Sequence, residues 1–237
     1  MGVQVRYQGR LGNHLFQYIA ARLFAEENNL GFLSCLPQND VVQCAPRVEG
    51  RRFYGAPTII TDEDNIFDRP WDPGHYAFNG YFQRSAWYHA RREKVLKMIE
   101  LRPVEEVNRN DIVINLRVDE DYRSLKWAIH PSWYLGILAQ EKFDRLHIVA
   151  DVRNEEYLAA FREYDPVTVS SGPRGDWEYL RKFDRIVTAN STFSWWAAYF
   201  SRGSRIYTFK RWVTHPIPKL HAFPNGVEVD GKFLYEG

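Results

Sequence analysis

The residues best suited to chemistry stand together at 189–198, where Ala-Asn-Ser-Thr-Phe-Ser-Trp-Trp-Ala-Ala joins an apolar run to an aromatic one through hydroxyls. Arg185, Ile186, Val187, Thr188 and Ala189 read as a short buried strand. Ser191 or Thr192 is then expected to cap a helix carrying Phe193, Trp195, Trp196, Tyr199 and Phe200. The first turn of a helix leaves backbone N–H groups unpaired and carries the positive end of the dipole, so this junction suits an anion such as phosphate. The commoner use of such residues is an ordinary cap on a buried helix. Asn190-Ser191-Thr192 also spells a glycosylation acceptor, poorly placed between a buried strand and a Trp-Trp helix.

Near the amino end, Gly9-Arg10-Leu11-Gly12-Asn13 forms a glycine turn between a strand and a helix. Glycine there permits a tight turn or a close backbone approach, but the full dinucleotide fingerprint is absent. Asp119, Glu120 and Asp121 offer three neighbouring carboxylates. They are candidate bases, a solvated loop, or the Asp-x-Asp that clamps a divalent ion on a diphosphate. Cys35 and Cys44 are too few for a disulfide framework and lack metal-ligand spacing, which fits a reducing, cytoplasmic setting.

The elements that must position these groups follow from pattern. Residues 3–7 read as a strand, and a helix over 13–29 places Leu15, Phe16, Ile19, Ala20, Leu23 and Phe24 on one face, with Gly31 as its stop. Residues 36–76 are irregular and rich in Pro, Gly, Asp and Asn, with short apolar runs such as 58–60, and helical periodicity returns over 81–101. Beyond Pro103, strands are predicted at 112–118, 146–150, 167–170, 186–189 and 206–209, with helices at 131–141, 155–163, 177–183 and 192–200. Such alternation is the mark of a parallel sheet covered by helices, with ligands at the carboxyl ends of the strands. The expected organisation is an amino-terminal domain over 1–104, a second over 105–210, and a crossover tail over 211–237.

The chain has 237 residues, 45% of them hydrophobic, enough for a sizeable core. Its formal net charge is +1 and its pI about 7.8, so no electrostatic footprint for nucleic acid or an anionic membrane appears, and Arg51-Arg52 and Arg91-Arg92 read as solvated faces. Eight Trp and fourteen Tyr leave two readings open, an aromatic core or rings lining a sugar-binding cleft. No signal-length or membrane-spanning apolar run is present, and a soluble protein is expected.

Gly9 to His14 with Phe16-Gln17-Tyr18, the run Gly80-Tyr81-Phe82-Gln83, and the block at 189–198 together resemble glycosyltransferase family 11, known for α-1,2-fucosyltransferases. Tyr134 with Ile137, Ile148-Val149-Ala150-Asp151, Asp176 with Leu180, and Lys210-Arg211-Trp212 stand where that family has weaker motifs. The resemblance implies a compact GT-B architecture: two Rossmann-like domains facing a cleft, the carboxyl-terminal one holding the nucleotide sugar. It also implies no metal or other cofactor, GDP-fucose as donor, a glycan hydroxyl as acceptor (commonly the 2-hydroxyl of a galactose), and inversion.

On that reading Arg117 stabilises the leaving diphosphate. It ends the run at 112–117, whose period of two sets Asn115 and Arg117 on one face, and a guanidinium forks onto two phosphate oxygens. The alternative is a structural salt bridge at a strand end. The run resembles the family's His-x-Arg-Arg-Gly-Asp with Arg117 on its first arginine, but Asn115 replaces the histidine, Val118 the second arginine, and Asp119-Glu120-Asp121-Tyr122 the Gly-Asp-Tyr. Ser191, Thr192 and Phe193 supply the other half of the phosphate clamp. Asp151 either accepts from N1–H and the 2-amino group of guanine or caps the helix near Glu155. Gly9, Arg10, Gly12 and Asn13 are expected to face the donor across the cleft. The departures at Asn115 and Val118 keep two alternatives alive: a family member with another nucleotide sugar, and a non-catalytic carbohydrate- or nucleotide-binding homologue.

Overall fold

The computed structural model describes residues 1–47, 49–50, 55–150, 155–212 and 223–236. The chain divides into two units, Met1–Leu101 and Arg102–Gly237, each built on its own parallel sheet.

In the first unit β1 (Gly2–Val5) passes through the Gly9 turn into α1 (Leu11–Glu27). There follow β2 (Gly31–Phe32), β3 (Gln43–Cys44), β4 (Thr58–Ile60), β5 (His75–Phe78), α2 (Ser85–His89), α3 (Arg92–Met98) and β6 (Ile99–Glu100). The main sheet runs β2-β1-β5-β4 with every pair parallel, and β3 pairs with β6 in a separate antiparallel ribbon. Leu15, Phe16, Tyr18, Ile19, Leu23 and Phe24 of α1 are wholly enclosed. Its buried polar groups are accordingly paired: the Gln17 amide exchanges two 3.0 Å bonds with the Gln8 backbone, and Arg22 donates to Tyr18, Ala45 and Pro46. Asn29, in the left-handed region at φ 54°, terminates α1 two residues before the expected Gly31, which instead opens β2. The helical text over 81–101 becomes two short helices. Part of the stretch expected to be irregular belongs to the sheet through β4 and β5.

The second unit contains β7 (Asn108–Leu116), α4 (Glu120–Ser124), α5 (Pro131–Leu138), β8 (Leu146–Ala150), α6 (Glu155–Ala159), β9 (Val167–Val169) and α7 (Gly172–Leu180). These are followed by β10 (Phe183–Val187), α8 (Thr192–Tyr199), β11 (Arg205–Phe209) and β12 (Gly226–Val229). Its sheet runs β9-β8-β7-β10-β11-β12, all parallel. Counted from β7, that is the 3-2-1-4-5-6 order of a doubly wound Rossmann sheet. Ile112, Ile114, Leu116, Leu146 and Ile148 pack against Trp133, Tyr134 and Ile137 in its core, as strands covered on both faces require. The tail expected to be a crossover adds β12 as an edge strand.

Much of the aromatic surplus is core. Trp177, Trp195 and Trp196 are fully buried, and along α8 Trp195 stacks on Tyr199 and Trp196 on Phe200. Such pairs contribute about 1 kcal/mol each beyond their burial, so packing rather than capping fixes α8. Ser191 holds the N-cap position, yet its hydroxyl makes no capping bond.

Candidate functional site at the carboxyl edges of the sheets

In the second sheet, β8 and β9 lie to one side of β7 and β10 to the other, so the chain reverses its direction of winding between β7 and β10. A crevice opens at the carboxyl ends of strands at such a point. Arg117 leaves β7 one residue past its end, and residues 188–191 leave β10 beside it, since Val187 is in register with Ile114.

Side chains tie the two exits together. Arg117 Nη2 lies 2.6 Å from Asp119 Oδ2, with both side chains largely enclosed, and the Arg117 guanidinium carbon sits 5.1 Å from the Tyr122 ring centroid. The other Asp119 oxygen accepts from the Tyr122 amide at 3.0 Å and caps α4. The Tyr122 hydroxyl crosses to the second exit, donating to the Asn190 carbonyl at 2.9 Å. Immediately beyond lie Ser191 and the half-buried Thr192 and Phe193. The first bond within α8 runs from Trp195 N–H to the Ser191 carbonyl at 2.9 Å, which leaves the Thr192, Phe193 and Ser194 amides at the positive end of the helix. No acidic residue occupies that first turn. The Phe193 ring is turned away to pack on Trp177 at 5.2 Å, so its offering to a ligand is its backbone amide.

The first sheet repeats the plan. Its order places β2 on one side of β1 and β5 on the other, and the two carboxyl exits are the Gly9 turn and the loop carrying Gly80-Tyr81-Phe82-Gln83. Gln83 Nε2 donates to Asn13 Oδ1 at 2.8 Å, bringing the two runs together. Gly9 is at φ +79°, a conformation L side chains rarely adopt, so the turn favours glycine; a Cβ there would also meet the Asn13 side chain, Nδ2 at 2.2 Å. Asp62 accepts from the Tyr81 amide at 2.8 Å and from that of Phe82, which is itself at φ 53°. Arg10 is exposed at the N-cap of α1, Gly12 is buried, and His14 packs edge-on against Tyr7 at 5.3 Å. Burial lowers the His14 pKa, against the opposing pull of the Gly9 carbonyl, and favours neutral imidazole.

Other residues singled out in the sequence stand as follows. Asn115 is buried and its amide donates to the Val149 carbonyl at 3.1 Å, tying β7 to β8. Val118 is enclosed in the apolar core. Glu120 and Asp121 are exposed in the first turn of α4, whereas both oxygens of Asp119 are engaged. Asp151 lies outside the described residues. Among the described residues no group of three or more His, Cys, Asp or Glu side chains converges on one point, and no helix is long and apolar enough to cross a membrane.

Two features gave no signal in the sequence. Tyr122 and Asn190 link the two exits through contacts that depend on the strand order. At the opposite, amino edge of the second sheet lies a cavity of about 940 Å³ whose lining includes Asp111, His147, Tyr179 and Lys182. There His147 Nε2 meets Asp111 at 2.9 Å and Nδ1 meets the Tyr179 hydroxyl at 2.7 Å. Both ring nitrogens of that imidazole are thereby engaged within the fold.

No protein-family model matches the chain, and neither a curated protein nor a solved structure matches it significantly.

Proposed function

We propose that the protein is a metal-independent, inverting glycosyltransferase that transfers a sugar, L-fucose first among the candidates, from a GDP-sugar to a glycan hydroxyl such as the 2-hydroxyl of a galactose. In this reading the two units are the two Rossmann-like halves of a GT-B enzyme. The observation that carries it is the link through Tyr122 between the Arg117 exit and the loop that leads into the Ser191 helix start, at the reversal point of a Rossmann-ordered sheet.

The acceptor oxygen attacks the anomeric carbon from the face opposite the diphosphate. The bond from that carbon to the β-phosphate oxygen breaks, its electron pair leaves on GDP, and the acceptor proton passes to solvent or to a carboxylate. Charge therefore grows on the diphosphate, where a fixed guanidinium and the amides of Thr192 to Ser194 would meet it; preorganised donors of this kind lower a barrier by several kcal/mol. Holding acceptor and donor in line supplies much of the remainder. Asp119 is engaged with Arg117 and the α4 cap, which leaves Glu120 and Asp121 as the carboxylates with exposed side chains.

The test is turnover by the purified full chain of GDP-fucose with a galactoside, with and without EDTA. GDP release and a fucosylated product in both conditions support the proposal. Activity abolished by EDTA and restored by manganese overturns its metal-independent form. A second reading is favoured by Val118, which stands where the resembling motif has its second arginine and is enclosed in the apolar core. Thermal stabilisation by UDP but not GDP identifies a different donor, and nucleotide binding without consumption of any nucleotide sugar identifies a binding homologue.

A further inference from the structure

We propose that Tyr122 is the positioning residue that sets the Arg117 guanidinium against the Ser191 helix start; the inference rests on the diphosphate reading of that edge. Three hydrogen bonds close a cycle. The Tyr122 hydroxyl donates to the Asn190 carbonyl at 2.9 Å, the Asn190 Nδ2 donates to the Trp127 carbonyl at 2.9 Å, and the Trp127 amide donates back to the Tyr122 carbonyl at 2.8 Å. Asn190 Nδ2 also donates to the Trp212 carbonyl at 2.8 Å, so the exits of β7, β10 and β11 are laced at one residue.

Asn190 is 2% exposed and immediately precedes the α8 cap. A displacement of this cycle therefore moves the helix start. Arg117 is tied to the same cycle from its other side, because its guanidinium carbon lies 5.1 Å from the Tyr122 ring centroid and its Asp119 partner caps the turn that begins α4. A long arginine has many rotamers, and a fork is useful to a diphosphate only when held at a fixed spacing from the amides that share the charge. Tyr122 supplies that spacing with two parts of one side chain: the ring face for Arg117 and the hydroxyl for the 190–192 loop.

Full-length protein labelled at backbone amides and arginine side chains, in the parent form and as Tyr122→Phe and Tyr122→Trp, provides a ligand-independent readout. Both variants keep an aromatic face and remove the hydroxyl, so one serves if the other folds poorly. Either is expected to shift the Ser191 and Thr192 amide signals; signals left unmoved in a folded variant reject the proposal. Calorimetric titration with GDP supplies the second readout. Tyr122→Phe is expected to weaken GDP about five-fold, as loss of one neutral hydrogen bond does, and to have little effect once Arg117 is already Ala. An equal loss in both backgrounds makes Tyr122 a general structural residue and overturns the inference. If the parent itself fails to bind GDP, the diphosphate reading falls, while the amide signals still decide whether Tyr122 positions the loop.

Discussion

At the scale of single residues, the place of Arg117 at the carboxyl end of β7 was legible because it follows an apolar run, and of the two roles expected there the structure shows the ion pair, with Asp119. Tyr122 was not, since its importance lies in a bond to a carbonyl 68 positions away. A cap was expected of Ser191, but the buried rings of α8 already fix the helix, so its hydroxyl is spared that task. The role given to Arg117 makes a sharp distinction between charge and shape. Arg117→Lys keeps the cation beside the largely enclosed Asp119, so the melting temperature is expected to fall by about 4 °C or less, the effect of roughly 1 kcal/mol. An ammonium offers no two-pronged contact, however, and loss of one charge-assisted hydrogen bond predicts about 10- to 100-fold weaker GDP binding. Calorimetry and thermal denaturation on the same sample separate the two. Full affinity in the lysine variant would show that the arginine is serving Asp119 alone.

At the scale of elements, β7, β8, β10 and β11 stood out in the sequence because strands buried on both faces read as short apolar runs between helical periods. β5 escaped for the opposite reason. It is four residues long, opens on His75, and follows an irregular stretch, although all four side chains are buried at the centre of the first sheet. β12 is equally short and sits in a proline-rich tail, and α4 looks like a solvated acidic loop until Asp119 is seen to cap it. The amino ends of β7 and β8 are joined by Asp111 and His147. Burial pushes the Asp111 carboxyl up, but the hydrogen bonds from His147 and Asn108 outweigh it and hold the pKa below the usual value. A carboxylate whose pKa is depressed by folding stabilises the protein above its unfolded pKa, about 3.9 for Asp. That contribution disappears as pH falls through the lower, folded value. Urea midpoints measured from pH 7 to pH 3 are therefore expected to fall below about pH 4. His147→Gln should lower the midpoint at neutral pH and flatten that acid limb. A limb of unchanged steepness would place the acid sensitivity elsewhere.

At the scale of the whole molecule, the two units share a design that neither sequence half announces alone: a parallel sheet, a reversal of winding, and at the carboxyl edge a turn or helix start lacking acidic side chains. In the first unit the two exits are joined by Gln83 and Asn13, in the second by Tyr122 and Asn190. Gly9 to His14, Gly80 to Gln83 and the 189–198 block all lie at strand exits. The packing residues between them answer only to burial and carry no such constraint. If the transferase reading proposed above holds, the nucleotide and the sugar must leave separate marks. GDP alone is expected to slow amide hydrogen exchange at 117–122 and 189–195, where the diphosphate is assigned. An intact GDP-sugar should extend protection to 9–13 and 80–83. Amide exchange with GDP, GDP-fucose and UDP, compared peptide by peptide, reads this directly. Protection confined to the second unit with every ligand would leave a nucleotide-binding Rossmann unit beside an independent partner, and the two-unit transferase would have to be abandoned even if Arg117 binds as proposed.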